Sequence, residues 1–129
     1  MDFEKLDVWK MSARLSADLY KNLRNLNDWG FKDQITRSGL SVPSNIAEGM
    51  SRESAKERLR FLSIAKGSCA ELRTQIYIGI DIGYIERQAG QDWIQQTKRI
   101  AAMLSGLMNK IKVELEPGSS SLKPPASSL

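Results

Sequence analysis

Apolar residues recur at steps of three and four along most of the chain, and four such stretches predict four helices. In the first, Phe3 to Leu26, one stripe runs through Val8, Ser12, Leu15, Leu19 and Leu26, and Trp9, Ala13, Tyr20 and Leu23 widen it. Arg14, Lys21 and Arg24 lie largely off that face. Asp7 is a candidate N-cap, with Asp2 available for an earlier start. Asn27-Asp28-Trp29-Gly30 reads as a turn into a second helix, about Phe31 to Gly49, with Ile35, Val42 and Ile46 on its apolar side. Gly49 is placed as its C-cap.

Ser54-x-x-Glu57 is a capping-box pattern that opens a long third helix to about Gly83. Its seam, Leu62, Ala65, Cys69, Leu72, Ile76, Gly79 and Gly83, has the 3.5-residue repeat of a left-handed bundle. Tyr84 to Gln91 reads as a turn, and a fourth helix covers about Asp92 to Leu115. Trp93, Thr97, Ile100, Leu104, Leu107 and Ile111 form its seam, flanked by Ala101, Met103 and Met108. YIGIDIGYI carries the helical seam onward, so it is not taken as a strand. The prediction is an all-α, antiparallel, up-down-up-down four-helix bundle over residues 1–116. The stretch 117–129, PGSSSLKPPASSL, is too poor in apolar residues to fold and is expected to be a disordered tail.

Pro43 interrupts the second helical pattern. A proline inside a helix removes one backbone hydrogen bond and crowds the carbonyl four residues back, at a cost of about 3 kcal/mol. That residue is Gly39, which leaves room to bend, so the second helix is expected to be continuous but kinked at Pro43. A polar stripe runs beside its apolar one through Gln34, Arg37, Ser38, Ser41, Asn45 and Glu48. Arg37, Asn45, Glu48, Glu71 and Gln75 are read as a buried polar network that sets helix register, with Arg37 pairing Glu71 or Glu48; a functional pocket is the alternative. Cys69 on the seam and Met103 and Met108 beside it read as core packing.

Composition narrows the chemistry. The chain has 129 residues, 41% hydrophobic and 26% charged, which fits one ordinary globular domain. It contains no histidine and one cysteine, so no histidine base, no His-containing metal site and no Cys-rich zinc site can be built. Glu48 with Glu71 as an acid/base pair lacks a cleft in a packed bundle. No phosphate-binding glycine loop of either common type is present. The expectation is a protein without enzymatic activity, cofactor or metal. No apolar run of 18 or more is present, the N-terminal MDFEKLDVW is too polar for a signal peptide, and the lone Cys69 suits a reducing compartment; the cytoplasm is expected.

The net charge is +4 and the pI about 9.3, which permits an acidic partner. Between Arg52 and Lys66 the charges sum to +3. Arg52, Lys56, Arg60 and Lys66 are the candidate phosphate contacts: Lys56 and Arg60 recur at a helical interval, and Arg52 precedes a helix N-terminus that favours anions. A plain solvated face is the competing reading of this run. Phe61, Ile64, Ile78, Ile80 and Ile82 lie outside the third-helix seam and require another neighbour, a helix or a second subunit.

The segments Leu6-Asp7-Val8-Trp9, Gln34-Ile35-Thr36-Arg37, Ser44-Asn45-Ile46-Ala47-Glu48-Gly49, Gly67-Ser68 with Glu71-Leu72, and Met103-Leu104-Ser105-Gly106-Leu107 together carry a resemblance. From Phe3 to about Lys112 the chain resembles the four-helix-bundle family of 23S rRNA intervening-sequence proteins. The resemblance implies a bundle often assembled into a five-fold ring, and a link to bacterial ribosomal RNA loci. A related branch accompanies the reverse transcriptases of diversity-generating retroelements and binds nucleic acid. The family often shows two adjacent arginines after the position of Gln34, whereas this chain has Ile35-Thr36-Arg37, which makes the polar site less charged. The resemblance supplies no catalytic mechanism. The functional expectation is an accessory protein that contacts RNA or DNA phosphates as a homopentamer; the alternative is an oligomeric scaffold that binds a protein partner.

Overall fold

The structure, a computed structural model, describes residues 2–115. The tail expected over 117–129 lies outside them. Four helices follow one another: α1 Asp7–Asn22, α2 Trp29–Met50, α3 Ala55–Asp81 and α4 Arg87–Leu115. Each packs on its sequence neighbour, and α1 closes against α4, giving the all-α four-helix bundle. Among the described residues there are no strands.

Most of the predicted seam is the core; Leu107 is half-buried, and Leu26 and Gly83 lie past the ends of their helices. Val8, Leu15 and Leu19 of α1, Ile35, Val42 and Ile46 of α2, the α3 run from Leu62 to Ile76, and Trp93, Ile100, Leu104 and Ile111 of α4 are all buried in one cluster. Cys69 is fully buried, as its seam position required. Ile80 half-buries against this cluster, whereas Ile64, Ile78 and Ile82 stay 42–50% exposed.

The helix ends depart from expectation in ways that local bonding explains. Asp2 caps only a 3-10 turn, Phe3–Lys5, by accepting from the Glu4 N–H at 3.1 Å. Leu6 is extended and occupies the N-cap position of α1, so Asp7 is the first helical residue and not the cap. There its carboxylate still faces the positive end of the helix. α1 closes at Asn22, four residues short of Leu26, where a single turn follows. Asp28 caps α2 by accepting from the Phe31 N–H at 3.1 Å. Ser54 caps α3 as predicted, accepting from the Glu57 N–H at 3.0 Å. α4 begins at Arg87, one and a half turns before Asp92, because the Glu86 carboxylate accepts from the N–H groups of Gln88 and Ala89 at 3.0 and 3.1 Å. Those bonds also hold the Glu86 carboxyl below its ordinary pKa.

α2 runs unbroken through Pro43, which is itself buried. Gly39 and Gly49 serve helix contact. A Cβ on Gly39 would meet Leu19 Cδ1 of α1 at 2.5 Å. At Gly49 it would meet Phe61 Cβ at 3.0 Å and the Arg58 carbonyl at 3.2 Å, both on α3. Gly49 is therefore not the C-cap: α2 continues to Met50 and is capped by Ser51 in a right-handed conformation. The left-handed residue is Gly83 (φ 82°), just past α3, where the N–H groups of Tyr84 and Ile85 turn back to the Gly79 carbonyl. No helix is long and apolar enough to cross a membrane among the described residues.

Candidate functional site

The five residues expected to form a buried network do not do so. Arg37 bonds to Asp33 at 3.0 Å, one turn back on its own helix, with its side chain 78% exposed. Glu48 bonds to Arg52 at 2.6 Å, also on the surface, and Glu71 is exposed. The expected pairing of Arg37 with Glu71 or Glu48 is therefore corrected. An oppositely charged partner four residues away satisfies Arg37 and Glu48 without taking charge out of water, whereas burying such a pair is costly. Asn45 is half-buried and donates to the Ser41 carbonyl and hydroxyl at 2.8 and 2.9 Å.

Smaller polar groups make the contacts between helices instead. The Ser41 and Ser68 hydroxyls share a 2.8 Å hydrogen bond from α2 to α3. Arg73 on α3 donates from Nε to the Thr97 hydroxyl at 3.0 Å and from a terminal nitrogen to the Thr97 carbonyl at 3.3 Å. Cys69 donates to the same carbonyl at 3.2 Å. Burial raises the Cys69 thiol pKa, with the Arg73 guanidinium opposing it. Thr97 is fully buried, so this α3–α4 cluster sets register where Arg37 and Glu71 were expected to. Arg37, Glu71 and Gln75 do meet, along an open groove of ≈ 440 Å³ between α2 and α3 that Ser41 and Ser68 also line. The Gln75 Oε1 there is buried without a hydrogen-bond partner among the described residues.

Arg52, Lys56, Arg60 and Lys66 are all exposed, as phosphate contacts must be. The structure brings two of them together: Arg52 and Arg60 lie over the Phe61 ring, 4.9 and 4.6 Å from its centroid. Both are also in surface ion pairs, Arg52 with Glu48 and Arg60 with Glu57 at 3.5 Å. Lys56 and Lys66 make no ion pair among the described residues. At 100° per residue Lys66 points about 120° away from Arg60, so the four do not form one line.

A cationic feature not anticipated from the sequence lies between α1 and α4. Lys10 and Arg14 of α1 and Arg99 of α4 converge on a groove of ≈ 790 Å³, which Asp7 and Asp92 also line. None of the three cations is in an ion pair among the described residues. The spacing of Lys10 and Arg14, one turn apart, was a legible signal of a basic strip; the approach of Arg99 depends on how α4 packs.

At the opposite edge of α1, Tyr20 and Arg24 meet Trp29, Lys32, Asp33 and Thr36 of α2 around a pocket of ≈ 410 Å³. Lys32 Nζ sits 4.0 Å from the Trp29 ring centroid and donates to the Arg24 carbonyl at 3.3 Å. Asp28, which caps this end of α2, also accepts from the Tyr84 hydroxyl at 2.9 Å. The Phe31 N–H and the Tyr84 hydroxyl hold the Asp28 carboxyl below its ordinary pKa, and the same bond raises that of Tyr84.

Three comparisons bear on these features. A family model described as 23S rRNA-intervening sequence protein matches residues 4–106. A crystal structure of a protein with unknown function from the S23 ribosomal protein family, from Bacteroides thetaiotaomicron, superposes with a TM-score of 0.74 at 24% sequence identity. The match covers 78% of this chain and 97% of that one, and it shows a shared fold. No curated protein matches.

Proposed function

The chain belongs to the 23S rRNA-intervening sequence protein family, and from that premise we propose that it is a non-enzymatic, homopentameric protein of the cytoplasm that binds the phosphate backbone of RNA or DNA. The observation that carries the reading is the convergence of Lys10, Arg14 and Arg99, none of them ion-paired among the described residues, on one groove. With Asp7 and Asp92 also on its lining the groove keeps one net positive charge, which suits a phosphate chain more than a neutral partner. Arg52, Lys56, Arg60 and Lys66 add a second basic surface on α3 and the turn before it. Assembly is supported by Leu40, Ile64 and Ile78, which remain 48%, 42% and 48% exposed. Ile64 and Ile78 are two heptads apart on one side of α3, and a second subunit would remove them from water.

The test is fluorescence anisotropy with labelled RNA and DNA over a salt series. Affinity is expected to fall with salt with a log–log slope of about 0.7 to 0.9 per phosphate neutralised. A Lys10→Glu/Arg14→Glu variant should bind more weakly and show a shallower slope, and comparison with Lys56→Glu/Arg60→Glu ranks the two surfaces. Absence of binding at low salt, or unchanged binding by both variants, favours the protein-scaffold reading. Light scattering on the same samples should give five times the 14.5 kDa of one chain; a monomer rejects the ring.

A further inference from the structure

Trp29 is 75% exposed, the most exposed of the large hydrophobic side chains among the described residues, and Tyr20 across the pocket is 47% exposed. Tryptophan carries a large apolar surface and is usually well covered. This one is presented on a rigid mount. It is the first residue of α2, directly after the Asp28 cap. The Lys32 N–H bonds to the Asp28 carbonyl at 3.0 Å, and the Tyr84 hydroxyl fixes the Asp28 carboxylate from the α3–α4 turn. Phe31, two residues on from Trp29, packs edge-on against Tyr84, with ring centroids 5.3 Å apart. The backbone that carries the indole is thus fixed before any ligand arrives, which lowers the ordering cost of binding.

The charges beside it are matched to one kind of ligand. Arg24 and Lys32 line the pocket, and neither is in an ion pair among the described residues. The pocket's one carboxylate, Asp33, already has Arg37 at 3.0 Å. Lys32 Nζ covers one face of the indole at 4.0 Å and donates to the Arg24 carbonyl, which keeps a cation beside the ring, and the Trp29 side chain remains open to a flat π-system carrying an anion; the ≈ 410 Å³ lies within the range of small-ligand pockets.

We propose that the Tyr20–Trp29 pocket is a stacking site for an unpaired nucleobase of single-stranded RNA or DNA, with Arg24 and Lys32 on the flanking phosphate. The proposal rests on the nucleic-acid reading above but uses a different surface and demands a different property of the strand: its bases must be unstacked. Duplex binds the cationic grooves through its backbone and leaves this pocket empty.

Intrinsic fluorescence reports the site directly, because Trp93 is buried and Trp9 half-buried, leaving Trp29 as the open indole. The protein is titrated with a short oligo(U), an oligo(dT), an abasic strand of equal length, a duplex of equal length, and uridine monophosphate. Oligo(U) and oligo(dT) are expected to quench the emission; the abasic strand and the duplex are not. Trp29→Ala should abolish the quench and weaken single-strand binding by about 5- to 150-fold, the range of one base–aromatic stack, with duplex binding unchanged. Trp29→Phe should recover most of the single-strand affinity, which separates stacking from any change in fold. Single-strand binding by Trp29→Ala at the parent affinity, equal quenching by duplex, or uridine monophosphate binding as tightly as oligo(U) each overturns the proposal. If duplex and abasic strand bind in a salt-dependent way and nothing quenches, the stacking site fails and phosphate binding stands. If no nucleic acid binds at low salt, both fail together.

Discussion

An alanine at position 79 would place a Cβ 2.5 Å from Ile85 Cδ1, 2.9 Å from Ile85 Cγ1 and 3.1 Å from Phe31 Cζ. Gly79 lies inside α3, so two effects oppose each other. Glycine to alanine in a helix interior gains about 1 kcal/mol from backbone propensity. Forcing extra carbon into a packed core costs about 1–3 kcal/mol. Ile85 is 4% exposed, and both its Cδ1 and Cγ1 as well as Phe31 Cζ would have to give way inside a packed core. The packing cost should therefore sit near its upper end and win, leaving Gly79→Ala about 2 kcal/mol less stable. At Gly67, in the same helix, nothing lies within 4 Å of the added carbon, and the same holds for Gly106 in α4. Gly67→Ala and Gly106→Ala should each be about 0.5–1 kcal/mol more stable. The assay is thermal and urea unfolding followed by far-ultraviolet circular dichroism. A further arm is Ile85→Val, which deletes the atom in closest contact. It should cost about 0.5–1.5 kcal/mol in the parent and less, or nothing, beside Gly79→Ala. Gly79→Ala melting at or above the parent, or Ile85→Val costing the same in both backgrounds, would refute the reasoning.

Two further outcomes are expected. Thr97→Val keeps the shape of a fully buried side chain and the carbonyl that Arg73 also reaches, but removes the hydroxyl acceptor for Arg73 Nε; hydrogen bonds to charged donors contribute about 1.5–3 kcal/mol, so a loss near 2 kcal/mol is expected, shrinking in an Arg73→Met background. Equal losses in both backgrounds, measured as a double-mutant cycle in urea, would show that the pair is not coupled. Asp28 has a folded-state pKa below its ordinary 3.8, so its carboxylate contributes stability above that value and loses it as pH falls through the lowered one. Asp28→Ala should accordingly melt below the parent at neutral pH, with the gap narrowing below pH 3.8; a gap that persists unchanged at pH 2 would contradict the assignment.

Salt-dependent binding by the Lys10, Arg14 and Arg99 groove and stacking at Trp29 join these, the second resting on the first, whereas the stability measurements depend on neither. The first reads backbone charge, the second reads exposed bases, and the glycine and Thr97 series read only the bundle.

The periodicity of apolar residues determined the four helices, their seams and the buried place of Cys69, because burying one face is a property each helix carries in its own sequence. Short-range signals worked where a side chain bonds within a turn of itself, as at Ser54, and misled where a neighbour did the same work, as at Glu86 ahead of Asp92. Tertiary structure alone decided what Gly39 and Gly49 do. Periodicity put Gly79 on the seam and Gly67 off it, but at Gly39 and Gly49 only the helix packed opposite shows that the missing side chain serves close contact. It also decided the polar groups. Arg37 and Glu48 share a stripe with Asn45, yet each takes a partner four residues away in the chain, whereas Arg73 reaches across to Thr97. The gathering of Lys10 and Arg14 with Arg99, and of Tyr20 with Trp29, likewise required two helices to meet. A helix pattern records which side faces inward, but not which residues of another helix will stand beside its edges; that depends on rotation and axial offset, set by the packing of the whole bundle.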